Sequence, residues 1–200
     1  MRTNLFSFLV AALLVVHPAN AGAQQQMADE LAGTEVNRRL GESETPAGRL
    51  MMHVIFDSTY RRPRRIWVYT PPGYRERGTP HDLLVVFDGE DYFNSIPLPL
   101  ILDTLLAASK APPFVAVFVD DSIGQARSDD LSNHSRFAAF VGRQLVPWVR
   151  RNWNVTRKSN RTVIAGFSNG GLGASYLAFK RPDLFGNVYS QSGAFWRGNE

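Results

Sequence analysis

Apolar positions along this chain come in two rhythms. "LMMHVIFDS" (50–58) and "RRIWVYTPP" (64–72) are rich in β-branched and aromatic residues and flank a basic turn with Pro63. They predict two antiparallel strands, the second ended by Pro71-Pro72-Gly73. "DLLVVFDG" (82–89), "FVAVFVD" (114–120) and "TVIAGF" (162–167) are continuous apolar runs, the pattern of strands buried on both faces. "FGNVYSQS" (185–192) predicts a last strand. Between the strands the period changes to that of a helix. Leu98, Ile101, Leu102, Leu105 and Leu106 mark one helix. Phe137, Phe140, Val141, Leu145, Trp148 and Val149 mark another near 133–151, with Pro147 expected to kink or break it. Leu172, Tyr176 and Phe179 mark a third that Pro182 closes. The order β, β, then repeated β-α predicts an α/β fold with a mostly parallel sheet and helices on both faces. Ligands in such sheets bind at the carboxyl ends of the strands. The loops after Phe87 and Val119 and the turn at Ser168 converge there.

The first residues follow a different logic. Arg2 precedes an apolar run from Leu5 to Val16, and Ala19-Asn20-Ala21 supplies a small-x-small pattern. Residues 1–21 are therefore expected to be a secretory signal peptide, cleaved near Ala21 or Ala23, with the protein exported to the periplasm or secreted. The run is too short to span a bilayer, so no stable membrane anchor is expected. Residues 22–48 are polar and aperiodic and are expected to form a flexible leader, with a short helix near Asp29–Leu40. Residues 49–200 form the folded domain.

Composition narrows the chemistry. A length of 200 residues and an apolar fraction of 44% suit one globular domain. The formal charge of +4 gathers in Arg61, Arg62, Arg64 and Arg65 and in Arg150, Arg151, Arg157 and Lys158. With no nucleic-acid motif beside them, these read as solvated charge in turns and at a helix C-terminus, and no nucleic-acid partner is expected. The absence of cysteine excludes thiol catalysis and thiolate metal sites. His17, His53, His81 and His134 show no zinc-ligand spacing, so neither a metal nor another cofactor is expected.

Gly166-Phe167-Ser168-Asn169-Gly170 fits G-x-S-x-G, with a strand before it and a helix after it. A serine in a strained strand-to-helix turn needs small neighbours, which Gly166 and Gly170 supply, while Gly171 lets the helix pack close to the sheet. The turn presents the hydroxyl at a helix N-terminus, where the dipole favours negative charge. The Asn169 amide can then receive a tetrahedral oxyanion. The alternative is an ordinary glycine-rich turn with a capping serine; the flanking strand and helix favour the elbow. A second oxyanion amide is sought in "FDGEDYF", where Gly89 would let the backbone turn and free the amide of Glu90, or of Gly89 itself. A simple turn with exposed acids is the alternative there.

Read in order, "RRIWVYTPPGY", "LLVVFDGEDYF", "LPLILDTLLAASKAPPFVAVFVDD", "ARSDDLSNHSRFAAFVGRQLVPWV" and "VIAGFSNGGLGASYLAFKRPDLFGNVYSQSGAFW" resemble the esterase D family, and within it the enterochelin (ferric siderophore) esterases. "DGE", R-x-x-[ED]-L at Arg127–Leu131 and S-x-S-G-x-F-W at Ser190–Trp196 are similar to that branch. The resemblance implies an α/β-hydrolase fold and a small-molecule ester substrate. It makes Ser168 the nucleophile, and Asn169 and Glu90 the oxyanion donors. Arg127 and Asp130 would lie in a loop over the strand ends, in the pocket or in a structural salt bridge. Gln191 and Trp196 would line the substrate site, with core packing the alternative for Trp196.

The same resemblance places the triad's acid and histidine in loops after later strands, beyond Glu200. Of the acids after Ser168, Asp183 sits in a turn and Glu200 at the terminus. His81 is expected at the amino end of its strand; His134 is expected at the start of a helix, where it could reach the catalytic edge or stand as a surface residue, the reading favoured here. Without a base the hydroxyl is a poor nucleophile. The expected function is therefore an exported serine esterase of siderophore type acting through an acyl-enzyme. The alternatives are a feruloyl or acetylxylan esterase, or a catalytically dead, truncated hydrolase. An edge strand near 186–190 would also leave unpaired amides and weaken the isolated chain.

Overall fold

The computed structural model describes residues 47–120, 125–131 and 135–196. The signal and leader segments before residue 47, and His134, lie outside the described residues.

Six strands form one sheet: β1 (Arg49–Asp57), β2 (Arg62–Thr70), β3 (Asp82–Val86), β4 (Phe114–Val119), β5 (Thr162–Phe167) and β6 (Asn187–Gln191). Their spatial order is β1-β2-β4-β3-β5-β6. β2 runs antiparallel to both its neighbours, and β4, β3, β5 and β6 are mutually parallel. Every residue of β3 and β4 is buried, as their unbroken apolar runs require. β2 alternates instead. Ile66 and Val68 enter the core on one face, and Trp67 and Tyr69 the core on the other.

Helices cover both faces. The short α1 (Asp91–Asn94) and α2 (Leu98–Ala107) lie on one, where Tyr92, Leu98 and Leu102 pack against Leu84, Val86 and Phe118. The other face carries α3 (Gln125–Leu131), α4 (Ser135–Phe140), α5 (Val146–Asn152) and α6 (Asn169–Lys180). The expected break near Pro147 takes the form of a π-helical turn, Val141–Leu145, between α4 and α5. Proline has no N–H to continue the α ladder, and the wider turn absorbs the mismatch.

Two readings are corrected here. Arg127 and Asp130 lie on a helix, α3, rather than in a loop. "QARSDDL" lacks apolar periodicity, and its order comes from tertiary ion pairs. Arg64 is also not solvated turn charge. Its side chain is 1% exposed, between Asp57 (2.9 Å) and Asp130 (2.7 Å). Its Nη1 also donates to the Asp120 carbonyl (2.7 Å), and its guanidinium lies 4.8 Å from the Phe140 ring centroid. This buried network ties α3 to the β1–β2 hairpin.

Candidate active site

β5 ends at Phe167, and α6 begins at Asn169. Ser168, alone between them, adopts φ 54° and ψ −118°. That backbone conformation is nearly forbidden to a residue with a Cβ and costs about 1–3 kcal/mol. Neighbouring hydrogen bonds hold it. The Ser168 N–H donates to the Gln191 carbonyl (2.9 Å), and the Ser168 carbonyl accepts from the N–H groups of Leu172 (3.1 Å) and Ala194 (3.0 Å). The glycines follow from this geometry. A Cβ on Gly166 would overlap the Gly170 backbone. One on Gly170 would lie 2.5 Å from Asp88 Oδ2, and one on Gly171 2.7 Å from Ser190 Oγ on β6. A merely capping serine would need neither the strain nor three bare neighbours.

The β3 loop meets the elbow because β3 and β5 are adjacent, with Val86 opposite Ala165. Its sharp turn falls on Asp88, at φ 54°, rather than on Gly89. Gly89 is small for another reason: a Cβ there would lie 2.8 Å from the Phe118 and Val119 backbone. The Gly89 amide is also not a free oxyanion donor, since it donates to the Val119 carbonyl (2.9 Å). The Glu90 amide makes no such backbone bond among the described residues and stands at the start of α1, as Asn169 does at the start of α6. The Glu90 carboxylate pairs with Arg65 (3.1 Å), which also binds Asp120 (2.8 Å), so the loops after β3 and β4 are cross-linked at the same sheet edge.

The remaining site residues separate into two groups. Arg127 reaches the elbow: its Nη2 donates to Asp88 Oδ2 (2.7 Å), its Nε donates to Asp88 Oδ1, and its guanidinium lies 6.0 Å from the Phe167 ring centroid. Burial pushes the Asp88 carboxyl above the ordinary carboxylate value, and Arg127 pulls it back. Asp130 forms the structural salt bridge. It is buried and bound to Arg62 and Arg64 (2.7 Å each), and burial again raises its pKa most strongly. Gln191 is buried behind the elbow, where its carbonyl positions Ser168 and its Oε1 accepts from Tyr92 Oη (3.4 Å). Trp196 is 73% exposed in this chain. With Phe167 and Phe195, also exposed, it gives the surface around Ser168 an aromatic character.

Sequence reasoning missed Asp88 and Tyr92. The signal for Asp88 lay in "FDGED", where an acid precedes a glycine in a tight loop; Tyr92 had none beyond its burial. Neither described histidine is near the serine. His81 precedes β3 at the amino end of the sheet, as expected. His53 lies on the far edge strand, boxed by Trp148 and Trp153 at 5.6 and 5.2 Å. Asp183 is held by Arg181 beyond the C-terminal end of α6, whose 12 residues span about 18 Å from the elbow.

A strained serine between a parallel strand and a helix, beside an adjacent-strand loop with a free amide, defines the α/β-hydrolase class. Residues 58–199 match the family model described as "Putative esterase", and the chain belongs to that family. It is similar to the iron(III) enterobactin esterases of Dickeya dadantii and Escherichia coli K12. Identity to the first is 36%, over 66% of this chain and 30% of that protein. Identity to the second is 34%, over 68% of this chain and 34% of that protein. Among solved structures, the enterochelin esterase of Shigella flexneri superposes with a TM-score of 0.70 at 31% identity, over 76% of this chain and 38% of that one. A feruloyl esterase module of Clostridium thermocellum shares the fold, with a TM-score of 0.63 at 20% identity over 78% of this chain and 60% of that one. The chain spans about a third of the length of the two curated relatives named.

Proposed function

We propose that this chain carries the nucleophile of an exported serine esterase that hydrolyses the ester bonds of an enterobactin-type catecholate siderophore. The observation that carries the catalytic part is the strained Ser168, held by hydrogen bonds from three directions at the N-terminus of α6. In this reading Ser168 Oγ attacks the ester carbonyl carbon and gives up its proton to a base. The carbonyl oxygen becomes an oxyanion facing the Asn169 and Glu90 amides. Collapse expels the alcohol with a proton and leaves an acyl-enzyme, which water hydrolyses to the free acid and serine. His53 and His81 lie elsewhere, and the base in this reading is the histidine that the family resemblance implies, outside the described residues. Two features support an aryl acyl group. Phe167, Phe195 and Trp196 offer exposed aromatic faces, and Arg127 adds a cation beside one of them.

The test is hydrolysis of p-nitrophenyl acetate and of a 2,3-dihydroxybenzoyl-serine ester by the chain and by Ser168→Ala. Loss of activity on both in the variant supports the nucleophile, and a preference for the catecholate ester supports the substrate class. Measurable hydrolysis that is equal in chain and variant refutes the assignment of Ser168. Comparable rates on acetyl and catecholate esters refute the siderophore reading alone.

A further inference from the structure

The amino end of the sheet, opposite Ser168, holds an open cleft of about 850 Å³. Six cationic side chains line it, among them Arg150, Arg151, Arg157 and Lys158, against one carboxylate, Glu76. Charge at a helix C-terminus is the ordinary reading, since Arg150 and Arg151 occupy the last turn of α5. The hydrogen bonds do not bear that out. The Trp148 carbonyl accepts from Asn152 Nδ2 (2.8 Å), and the Val149 carbonyl from the Trp153 N–H (2.9 Å). Arg150 serves neither. Its Nε and Nη2 are buried and have no hydrogen-bond partner among the described residues.

That arrangement is costly for the protein alone. Arg150 is half-buried as a residue, but its Nε and Nη2 lose their hydration and gain no acceptor in return. Burial, and then the charge of Arg157, lower the Arg150 pKa. Asp183 is the one nearby acid that opposes this, and both its oxygens are already held by Arg181 (2.8 and 2.7 Å). Asp82 is likewise committed to Arg161. What the site lacks is an anion with several acceptor oxygens and more than one charge. A planar guanidinium with two unpartnered N–H-bearing nitrogens, flanked by exposed Arg157 and Lys158, suits a tetrahedral phosphoryl group better than a carboxylate.

We propose that this cleft binds a phosphoryl dianion, with Arg150 as its central ligand and Arg157 and Lys158 closing over it. The group could be presented by a soluble phosphate compound or by a phospholipid headgroup, and the two are separable. The full chain is titrated calorimetrically with sodium pyrophosphate at fixed ionic strength. In parallel it is sedimented with vesicles of phosphatidic acid in phosphatidylcholine, and with phosphatidylcholine alone. Arg150→Met should weaken binding about tenfold or more, which corresponds to about 1.4 kcal/mol per factor of ten. Should that variant unfold, the double variant Arg157→Met/Lys158→Met, at exposed positions, carries the test and should lose binding as well. Arg61→Gln, at the distant β1–β2 turn, should change neither affinity. Pyrophosphate binding without vesicle binding assigns a soluble ligand, and the reverse assigns a lipid headgroup. Binding of neither probe overturns the proposal, as does affinity equally reduced by Arg61→Gln or untouched by the cleft variants.

Discussion

Replacing Arg64 with Met should cost this fold about 3 kcal/mol, and the cost should shrink as the pH falls. Arg64 is buried with Asp57 and Asp130, both fully buried themselves. Methionine fills similar space and keeps the contacts with Phe137 and Phe140, so packing is nearly conserved. What is lost is the cation between two carboxylates. Removing one partner of a buried ion pair costs about 3–5 kcal/mol. The lower end applies here because partners remain. Asp57 Oδ1 still accepts from the Thr59 and Tyr60 amides (2.9 and 3.1 Å), and Asp130 keeps Arg62 (2.7 Å). Small domains unfold with about 5–15 kcal/mol, so this is a large share. With a urea slope of about 2 kcal/mol/M, the midpoint should fall by about 1.5 M. The pH dependence identifies the cause. Burial already raises the Asp130 pKa, and Arg64 is the first force opposing it. Without Arg64 the folded-state pKa rises further above the unfolded value. The folded variant then binds protons that the unfolded chain does not, and its stability rises relative to the parent on acidification from pH 7 toward 5. Urea titrations followed by tryptophan fluorescence at several pH values read both quantities. A deficit under 1 kcal/mol, or one that does not change with pH, would refute the buried-charge argument.

Gly166→Ala should be among the most disruptive small substitutions, because the new methyl meets the Gly170 backbone rather than a movable side chain. A loss of about 1–3 kcal/mol in urea unfolding is the expected result. Ser168→Gly should instead stabilise the chain by up to about 1–2 kcal/mol, since glycine tolerates φ 54°. A chemical-denaturation comparison with Ser168→Ala, which keeps the strain, checks this. His53→Phe should flatten the pH dependence of stability below pH 6.5. Burial lowers the His53 pKa, so the unfolded chain takes up the proton first and stability falls as pH drops. The difference in slope between parent and variant should approach about 1.4 kcal/mol per pH unit at most.

The order of strands and helices was written in the chain's periodicity. Continuous apolar runs at 82–86, 114–119 and 162–167 read as strands covered on both faces, and all three are, except for the exposed Phe167 at the end of β5. The elbow was equally legible, because a serine between close glycines at a strand-to-helix boundary has few other uses. α3 was not legible, because its order rests on Asp130 meeting arginines more than 60 residues away in the chain. For the same reason Arg64 looked like surface charge until the hairpin folded it inward. The loop after β3 was readable as a turn, but not in its detail. Whether Gly89 or Glu90 keeps a free amide depends on how closely β4 approaches, and the Val119 carbonyl takes the first. The two arginine clusters show the same division. Their residues are adjacent in sequence and alike in chemistry, yet one member pairs with buried acids, while another, the half-buried Arg150, keeps two buried nitrogens without an acceptor among the described residues. Local sequence determined which segments become strands and helices and where the strained serine stands. Tertiary structure decided which charges meet, because a long-range ion pair depends on packing distances that no local pattern encodes.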